Sequence, residues 1–276
     1  MPRFRLPHRS LLLLPALLLA AAPLPAQEDP QEWLEQCRSN RWGGSSDARS
    51  RACDVRETTI AAPRTLSVDA GQNGGVSVRS WNGDRVRVVA LISANARSEA
   101  QAQQDIRSIR IHTDGGEVHA TGPRNEAPGH WSVSYTIWVP RRINLELDAH
   151  NGGISIDRVQ GNINAETTNG GLRLDQVGGD VKARTTNGGV HVTLGGSTWS
   201  GEGGLDAQTT NGGVHLEVPR GYNAHLETGT VNGRITSDID LPSTRRTRRV
   251  SMDLGRGGPT VRAVTTNGGI RIDRDN

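Results

Sequence analysis

"AETTNGGLRLDQVGGDVKARTTNGGVHVTL", residues 165–194, writes the pentapeptide TTNGG twice, 18 residues apart. The same five letters return at Thr209–Gly213 and Thr265–Gly269. Glycine sets the finer period: Gly152, Gly161, Gly170, Gly179 and Gly188 fall every nine residues. Two residues after each comes an aliphatic side chain (Ile154, Ile163, Leu172, Val181, Val190), and two further on another (Ile156, Ala165, Leu174, Ala183, Val192). Three beyond stands Val or Thr, at Val159, Thr168, Val177 and Thr186. Alternation at period two over a few residues, closed by a turn, is the pattern of short strands. The turns alternate between an Asn-Gly-Gly kind (Asn151, Asn169, Asn187) and a second kind (Gln160-Gly161-Asn162, Gly178-Gly179-Asp180). One unit is therefore two strands and two corners, 18 residues long.

Such units bury little alone and build a core by stacking at about 4.8 Å per rung. The reading is all-β: a parallel β-solenoid over residues 143–276. Asn and Gly suit the left-handed backbone expected of each corner. The Asn side chains are placed to bond along the stack, and the preceding Thr to bond the turn. Structural corner positions are Asn151, Gly152, Asn169, Gly170, Asn187, Gly188, Asn211, Gly212, Asn267 and Gly268. β-Hairpins also use Asn-Gly, but they need no conserved 18-residue register. The repeat is interrupted at Gly195–Gly204, resumes at Leu205, turns at Asn232-Gly233, and is interrupted again before Val261. Handedness does not follow from the pattern.

Ahead of the repeats, Arg3, Arg5 and Arg9 precede the apolar run Leu11–Ala22 and the small residue Ala26, a secretory signal over residues 1–26. The run is short for a membrane anchor, and it ends without the cysteine that lipid attachment needs. The 32 Lys+Arg against 29 Asp+Glu become 29 against 29 once those three arginines are removed, so charge implies no nucleic-acid partner. Residues 27–58 read as a polar leader. Its Cys37 and Cys53, the two cysteines of the chain, are expected to form a disulfide in an oxidising compartment. Residues 59–142 read as a β-rich region covering one end of the stack, with one short helix near 96–107. Aromatic content of 3% argues against a conventional core of Phe and Leu and for one of Val, Ile, Leu and Ala at thin spacing.

The stretch "YTIWVPRRINLELDAHNGGISIDRVQGNINAETTNGGLRL", continuing to "TTNGGIRIDRDN", resembles the bacterial "putative adhesin" family of domains of unknown function. The resemblance rests on the "VP" entry strand and the Asn-Gly-Gly or Gly-Asp turns before alternating aliphatics. It covers roughly residues 60–276. It implies an envelope-associated β-solenoid, wound right-handed, with no catalytic motif to carry over.

Four features are candidates for chemistry. Asp157 and Asp175 are 18 apart, hence one rung apart, as a glycosidase pair would be. Their outward column continues through Thr193, Glu217 and Asp273, the mixture of a solvated face. His191 and His215 share a repeat position, which Ser155, Arg173 and Arg271 occupy elsewhere. With no Cys or carboxylate read beside them, no metal site is expected. "STRRTRR" offers Arg245, Arg246, Arg248 and Arg249 to an anionic polymer, with Asp238 and Asp240 as local counter-charges. Trp199, in the Gly-rich insertion, is placed either to stack on a sugar or to fold back on the solenoid. No phosphate loop, nucleophile elbow or dinucleotide fingerprint occurs, and no cofactor is expected. The function read from these features is non-enzymatic. It is adhesion, envelope scaffolding or partner binding, outside the cytoplasm, by a periplasmic or extracellular protein. Its partner is an anionic envelope polymer, a carbohydrate or another surface protein. Self-association through the stack end near Asp273, Arg274 and Asp275 and a carbohydrate-active enzyme are the alternatives.

Overall fold

The computed structural model describes residues 30–39, 50–123, 131–241 and 248–275. The signal segment lies outside them. Two helices, α1 (Pro30–Ser39) and α2 (Glu99–Ser108), accompany strands β1 (Ser50–Ala61), β2 (Thr65–Asp69), β3 (Val76–Trp81), β4 (Arg85–Ala96), β5 (Arg110–His112), β6 (Glu117–Thr121) and β7 (Trp131–Pro140). The repeats follow as β8 (Asn144–Ala149), β9 (Ile154–Asp157), β10 (Gln160–Thr167), β11 (Leu172–Asp175), β12 (Gly178–Asn187), β13 (Val190–Thr193), β14 (Gly204–Asn211) and β15 (Val214–Val218). Last come β16 (Ala224–Asn232), β17 (Ile235–Ser237), β18 (Arg249–Leu254), β19 (Thr260–Asn267) and β20 (Ile270–Arg274).

These strands form two ten-stranded mixed sheets, so the molecule is mostly β and solenoid-like. Sheet A runs β1-β4-β7-β3-β9-β11-β13-β15-β20-β17, and sheet B runs β18-β16-β19-β14-β12-β10-β8-β2-β6-β5. From β7 to β17 and from β6 to β16 all neighbours are parallel; antiparallel pairs occur at the ends, β1/β4, β4/β7, β5/β6 and β16/β18. The 18-residue register holds as read, with Ile163 opposite Val181, Leu172 opposite Val190 and Asp157 opposite Asp175.

The inward columns make the core. On sheet A they include Val78, Ile156, Leu174, Val192, Leu216 and Ile272, and on sheet B Ile163, Ala165, Val181, Ala183, Leu205 and Ala207, all buried. An alanine column on sheet B lets the sheets approach closely, which is how the core closes with so few aromatic rings. In the long strands the alternation runs straight on to Thr167 and Thr185, which are buried; the sequence reading had assigned that column to Thr168 and Thr186. Four of the buried Thr hydroxyls donate to a corner carbonyl one rung away: Thr167 to Gly152, Thr185 to Gly170, Thr209 to Gly188 and Thr265 to Gly212, each at 2.7 Å.

At the corners an asparagine ladder runs Asn73, Asn151, Asn169, Asn187, Asn211, Asn267, Asn232, each amide after Asn73 donating Nδ2–H to the preceding or inner neighbour's Oδ1 at 2.8–3.1 Å. The glycine beside each asparagine is there for a reason the sequence did not reveal. Left-handed backbone is found at Arg158 (φ 55), Gln176 (φ 52) and Gly179 (φ 107), in the other corner. At Asn-Gly-Gly the demand is for space: a Cβ on Gly152, Gly170, Gly188, Gly212 or Gly268 would lie 2.0 Å from the carbonyl oxygen of the rung beneath.

Two further differences from the sequence reading concern the ends. The leader contains α1 and most of β1, and α1 is tied down by the Cys37–Cys53 disulfide, with Cα atoms 6.3 Å apart. The expected helix is α2, capped by Ser98, whose Oγ accepts from the Gln101 N–H at 3.3 Å, and anchored by buried Ala102 and Ile106. Finally, the stack departs from chain order. The rung β19/β20 sits between β14/β15 and β16/β17, so Asp273 and Arg274 belong to an interior rung, not to the stack end.

Candidate functional site

Two outward columns rise along sheet A. The first is Ser77, Ser155, Arg173, His191, His215, Arg271 and Thr236; the second is Arg79, Asp157, Asp175, Thr193, Glu217 and Asp273. Strict register puts each side chain next to its counterpart on the neighbouring rung, and residues two apart on one strand share a face. A groove of about 1230 Å³ follows the first column along the rungs, bordered by corner glycines such as Gly171 and Gly189, with Trp33 of α1 and Leu91 also in its wall. Its basic lining is Arg173, Arg234, Arg271, His191 and His215. Among the described residues no carboxylate lines it; the acids stand one column over.

At mid-groove the columns knit together. His191 and His215 meet edge to face with ring centroids 4.6 Å apart and Nδ1 atoms 3.2 Å apart. His215 Nε2 lies 2.9 Å from Asp273 Oδ2, and Asp273 also accepts from the Arg271 guanidinium. Glu217 Oε1 lies 3.4 Å from His191 Nε2 and 4.0 Å from His215 Nε2, while its Oε2 accepts from the Thr193 hydroxyl at 3.1 Å. Burial lowers the His191 pKa below the ordinary imidazole value, and Arg173 pushes the same way against Glu217. The hydrogen bond from Arg271 holds the Asp273 carboxyl below its ordinary value, with His215 adding to the effect. The reading that left these histidines without a carboxylate is thus corrected. Glu217 is two residues from His215 on the same face, a signal present in the sequence.

The other candidates fare differently. Asp157 and Asp175 are rung neighbours, but each is tied to an arginine, Asp157 to Arg158 at 2.8 Å and Asp175 to Arg173 at 3.7 Å. Trp199 is only 4% exposed and donates its indole N–H to the Gly179 carbonyl at 2.9 Å. Its ring is folded onto the stack and is not offered to a sugar. Arg245 and Arg246 lie outside the described residues. Arg248 donates to the Val231 carbonyl at 3.0 Å, and Arg249 lines a second groove of about 920 Å³ on sheet B, with Glu166, Arg184 and Arg262. Asp238 accepts the Arg274 N–H at 2.7 Å. No helix among the described residues is long and apolar enough to cross a membrane.

Fold and groove together define a class: solenoid-like, mostly-β proteins with a rigid, repetitive outer face. The chain belongs to the Toastrack DUF4097 family, whose model matches residues 56–273. Among solved structures it is similar to a "putative cell adhesion protein" from Clostridium sporogenes, at 11% identity over 82% of this chain and 100% of that one, TM-score 0.37. It is also similar to a "putative adhesin" from Bacteroides fragilis (12% identity, 80% and 97% coverage, TM-score 0.33). A third is a "putative lipid binding protein" from Parabacteroides distasonis (10% identity, 81% and 97% coverage, TM-score 0.26). No curated protein matches the sequence.

Proposed function

We propose that the protein is an exported, non-enzymatic binder that holds an extended anionic polymer of the cell envelope along the sheet A groove. The observation that carries this reading is the lining, three arginines and two histidines with no carboxylate among the described residues. A linear ligand with a repeating charge meets a surface with a repeating charge, and many weak contacts along one rigid track add up. Arginine suits the task because its planar fork bonds carboxylate or phosphate through two parallel N–H donors. Arg249, next to Arg248 in the chain, offers anions a second contact on the far sheet, in a groove that Asp148, Glu166 and Glu227 also line. The Cys37–Cys53 disulfide accords with a periplasmic or extracellular location. The organisation belonging to this reading is a signal over 1–26, a leader over 27–58, an N-terminal region over 59–142 and right-handed repeats over 143–276.

The test compares retention on immobilised polygalacturonate and on neutral dextran, at low and high salt. The acidic polymer alone should retain the protein, less so as salt screens the charges. Arg173→Ser with Arg271→Ser should abolish retention without unfolding, since Ser155 holds the same column position. Equal retention on dextran, or an unaffected double variant, would overturn the reading. New reducing ends, lost on Asp157→Ala with Asp175→Ala, would replace it with an enzyme.

A further inference from the structure

At mid-groove four side chains turn their donor atoms toward one spot. His191 and His215 bring their Nδ1 atoms to 3.2 Å, and His215 Nε2 lies 2.9 Å from Asp273. His191 Nε2 lies 3.4 Å from both the Thr193 hydroxyl and Glu217 Oε1. Imidazole nitrogens and carboxylate oxygens are the atoms that bind a metal ion.

Distances say what kind of cation fits. The Glu217 Oε1 contacts, 3.4 Å to His191 Nε2 and 4.0 Å to His215 Nε2, are long for hydrogen bonds. They suit ligand edges around a single ion: four ligands about 2.0–2.1 Å from zinc stand about 3.3–3.4 Å from one another. One donor atom from each of His191, His215 and Glu217 falls within 4.8 Å of the other two, so modest side-chain rotation closes the set. All three side chains stand on the outer face and are only partly covered, so rotation meets little resistance.

We infer that His191, His215 and Glu217 bind a divalent transition-metal ion, zinc or a similar borderline cation, with the remaining coordination open to the groove. Imidazole with one carboxylate is the donor set such ions favour over calcium or magnesium. Asp273, held by Arg271 beside His215, orients that ring and stands ready as a further ligand. Arg173 and Arg271 flank the site and repel the ion, which sets it apart from a closed structural zinc site and makes it exchangeable. This inference does not rest on polymer binding.

Calorimetric titration of the tag-free full chain with zinc chloride, no polymer present, tests it. One equivalent should bind. His191→Ser, His215→Ser and Glu217→Thr should each weaken binding at least about tenfold. These replacements copy Ser155 and Thr193, which occupy the same columns, so the strands tolerate them. His112→Ala should leave the affinity unchanged, although it breaks another stacked histidine pair, with His119 at 4.7 Å. No zinc binding, or binding lost in His112→Ala but kept in His191→Ser, would overturn the inference. Retention on polygalacturonate, measured in chelator, reports the other reading separately.

Discussion

Replacing Gly170 by Ala should break a seam of the stack, whereas the same change at Gly171 should not. An added Cβ at Gly170 would sit 2.0 Å from the Gly152 oxygen, where contacts below 3.0 Å essentially do not occur. The rungs must part there by at least about 1 Å, beyond the reach of a hydrogen bond. Three bonds cross that seam: Asn169 Nδ2–H to Asn151 at 2.8 Å, Asn169 N–H to the His150 carbonyl at 2.7 Å, and the Thr167 hydroxyl to the Gly152 carbonyl at 2.7 Å. At about 1 kcal/mol net each, the loss comes to about 2–4 kcal/mol. At Gly171 the nearest atom to a new Cβ is the Gly189 oxygen at 3.2 Å, which a small shift relieves. The entropy removed from the unfolded chain, about 0.4–1 kcal/mol, then offsets most of the strain. Neither glycine has a positive φ, so backbone conformation does not separate them. Urea unfolding followed by tryptophan fluorescence and circular dichroism reads the difference as a shift in midpoint at constant slope. A gap below about 0.5 kcal/mol between the two variants would refute the close-approach argument.

Two further outcomes follow from single side chains. Tyr135 is 1% exposed and its hydroxyl has no hydrogen-bond partner among the described residues, with burial pushing its pKa well above the ordinary phenol value. Tyr135→Phe should therefore raise stability by about 1 kcal/mol in the same urea assay, and a loss of stability would mean that the hydroxyl is bonded after all. Asp148 has a raised pKa, first from burial and then from Glu166, Asp69 and Glu146, the first two of which are its rung neighbours Asp69 and Glu166 across sheet B. A raised folded-state pKa favours the folded protein below the unfolded value, near pH 4, and that advantage is lost as pH rises through the folded value. Asp148→Asn should thus be more stable than the parent at pH 7 by a few tenths of a kcal/mol, with the two converging below about pH 3. A gap that instead widens in acid would reverse the sign.

Much of this molecule is visible in the letters because each rung is a copy. Period-two alternation located Ile154, Ile156, Leu172 and Leu174 in the core, and the recurrence of Asn151, Asn169 and Asn187 located the ladder. What escaped is whatever depends on distance through space. Gly152 and Gly153 look alike in sequence, yet only the first lies under a carbonyl at 2.0 Å. The left-handed residues Arg158 and Gln176 carry no glycine to mark them. The letters leave Trp199 free to face a sugar or to fold back; in space the insertion folds back and its indole finds the Gly179 carbonyl. The mid-groove cluster was half legible. Register aligned His191 with His215 and Glu217 with Asp273, whereas the diagonal contact from His215 to Asp273 needs side-chain directions.

The order of rungs at the far end shows how a repetitive sequence leaves one choice open. Every coil presents similar inward groups, so Val261, Ala263 and Thr265 can lie against Leu205, Ala207 and Thr209 or against Leu226, Thr228 and Thr230 with equal register; in the fold they do both. What breaks the tie is the quality of β16 as an outer strand. Its Thr228 and Gly229 replace the aliphatic and polar groups of a regular rung, and its other edge pairs antiparallel with β18. A coil with two good parallel faces belongs inside, where both are used, and a degenerate coil belongs at the rim. The opposite end follows the same logic, with β7 pairing antiparallel to β4 and β4 to β1. Antiparallel partners at both ends interrupt the parallel template that an incoming copy would extend, and the outermost strand of sheet A at the far end, β17, is only three residues long. The regular coils thus form the long outer face, and the irregular ones close it.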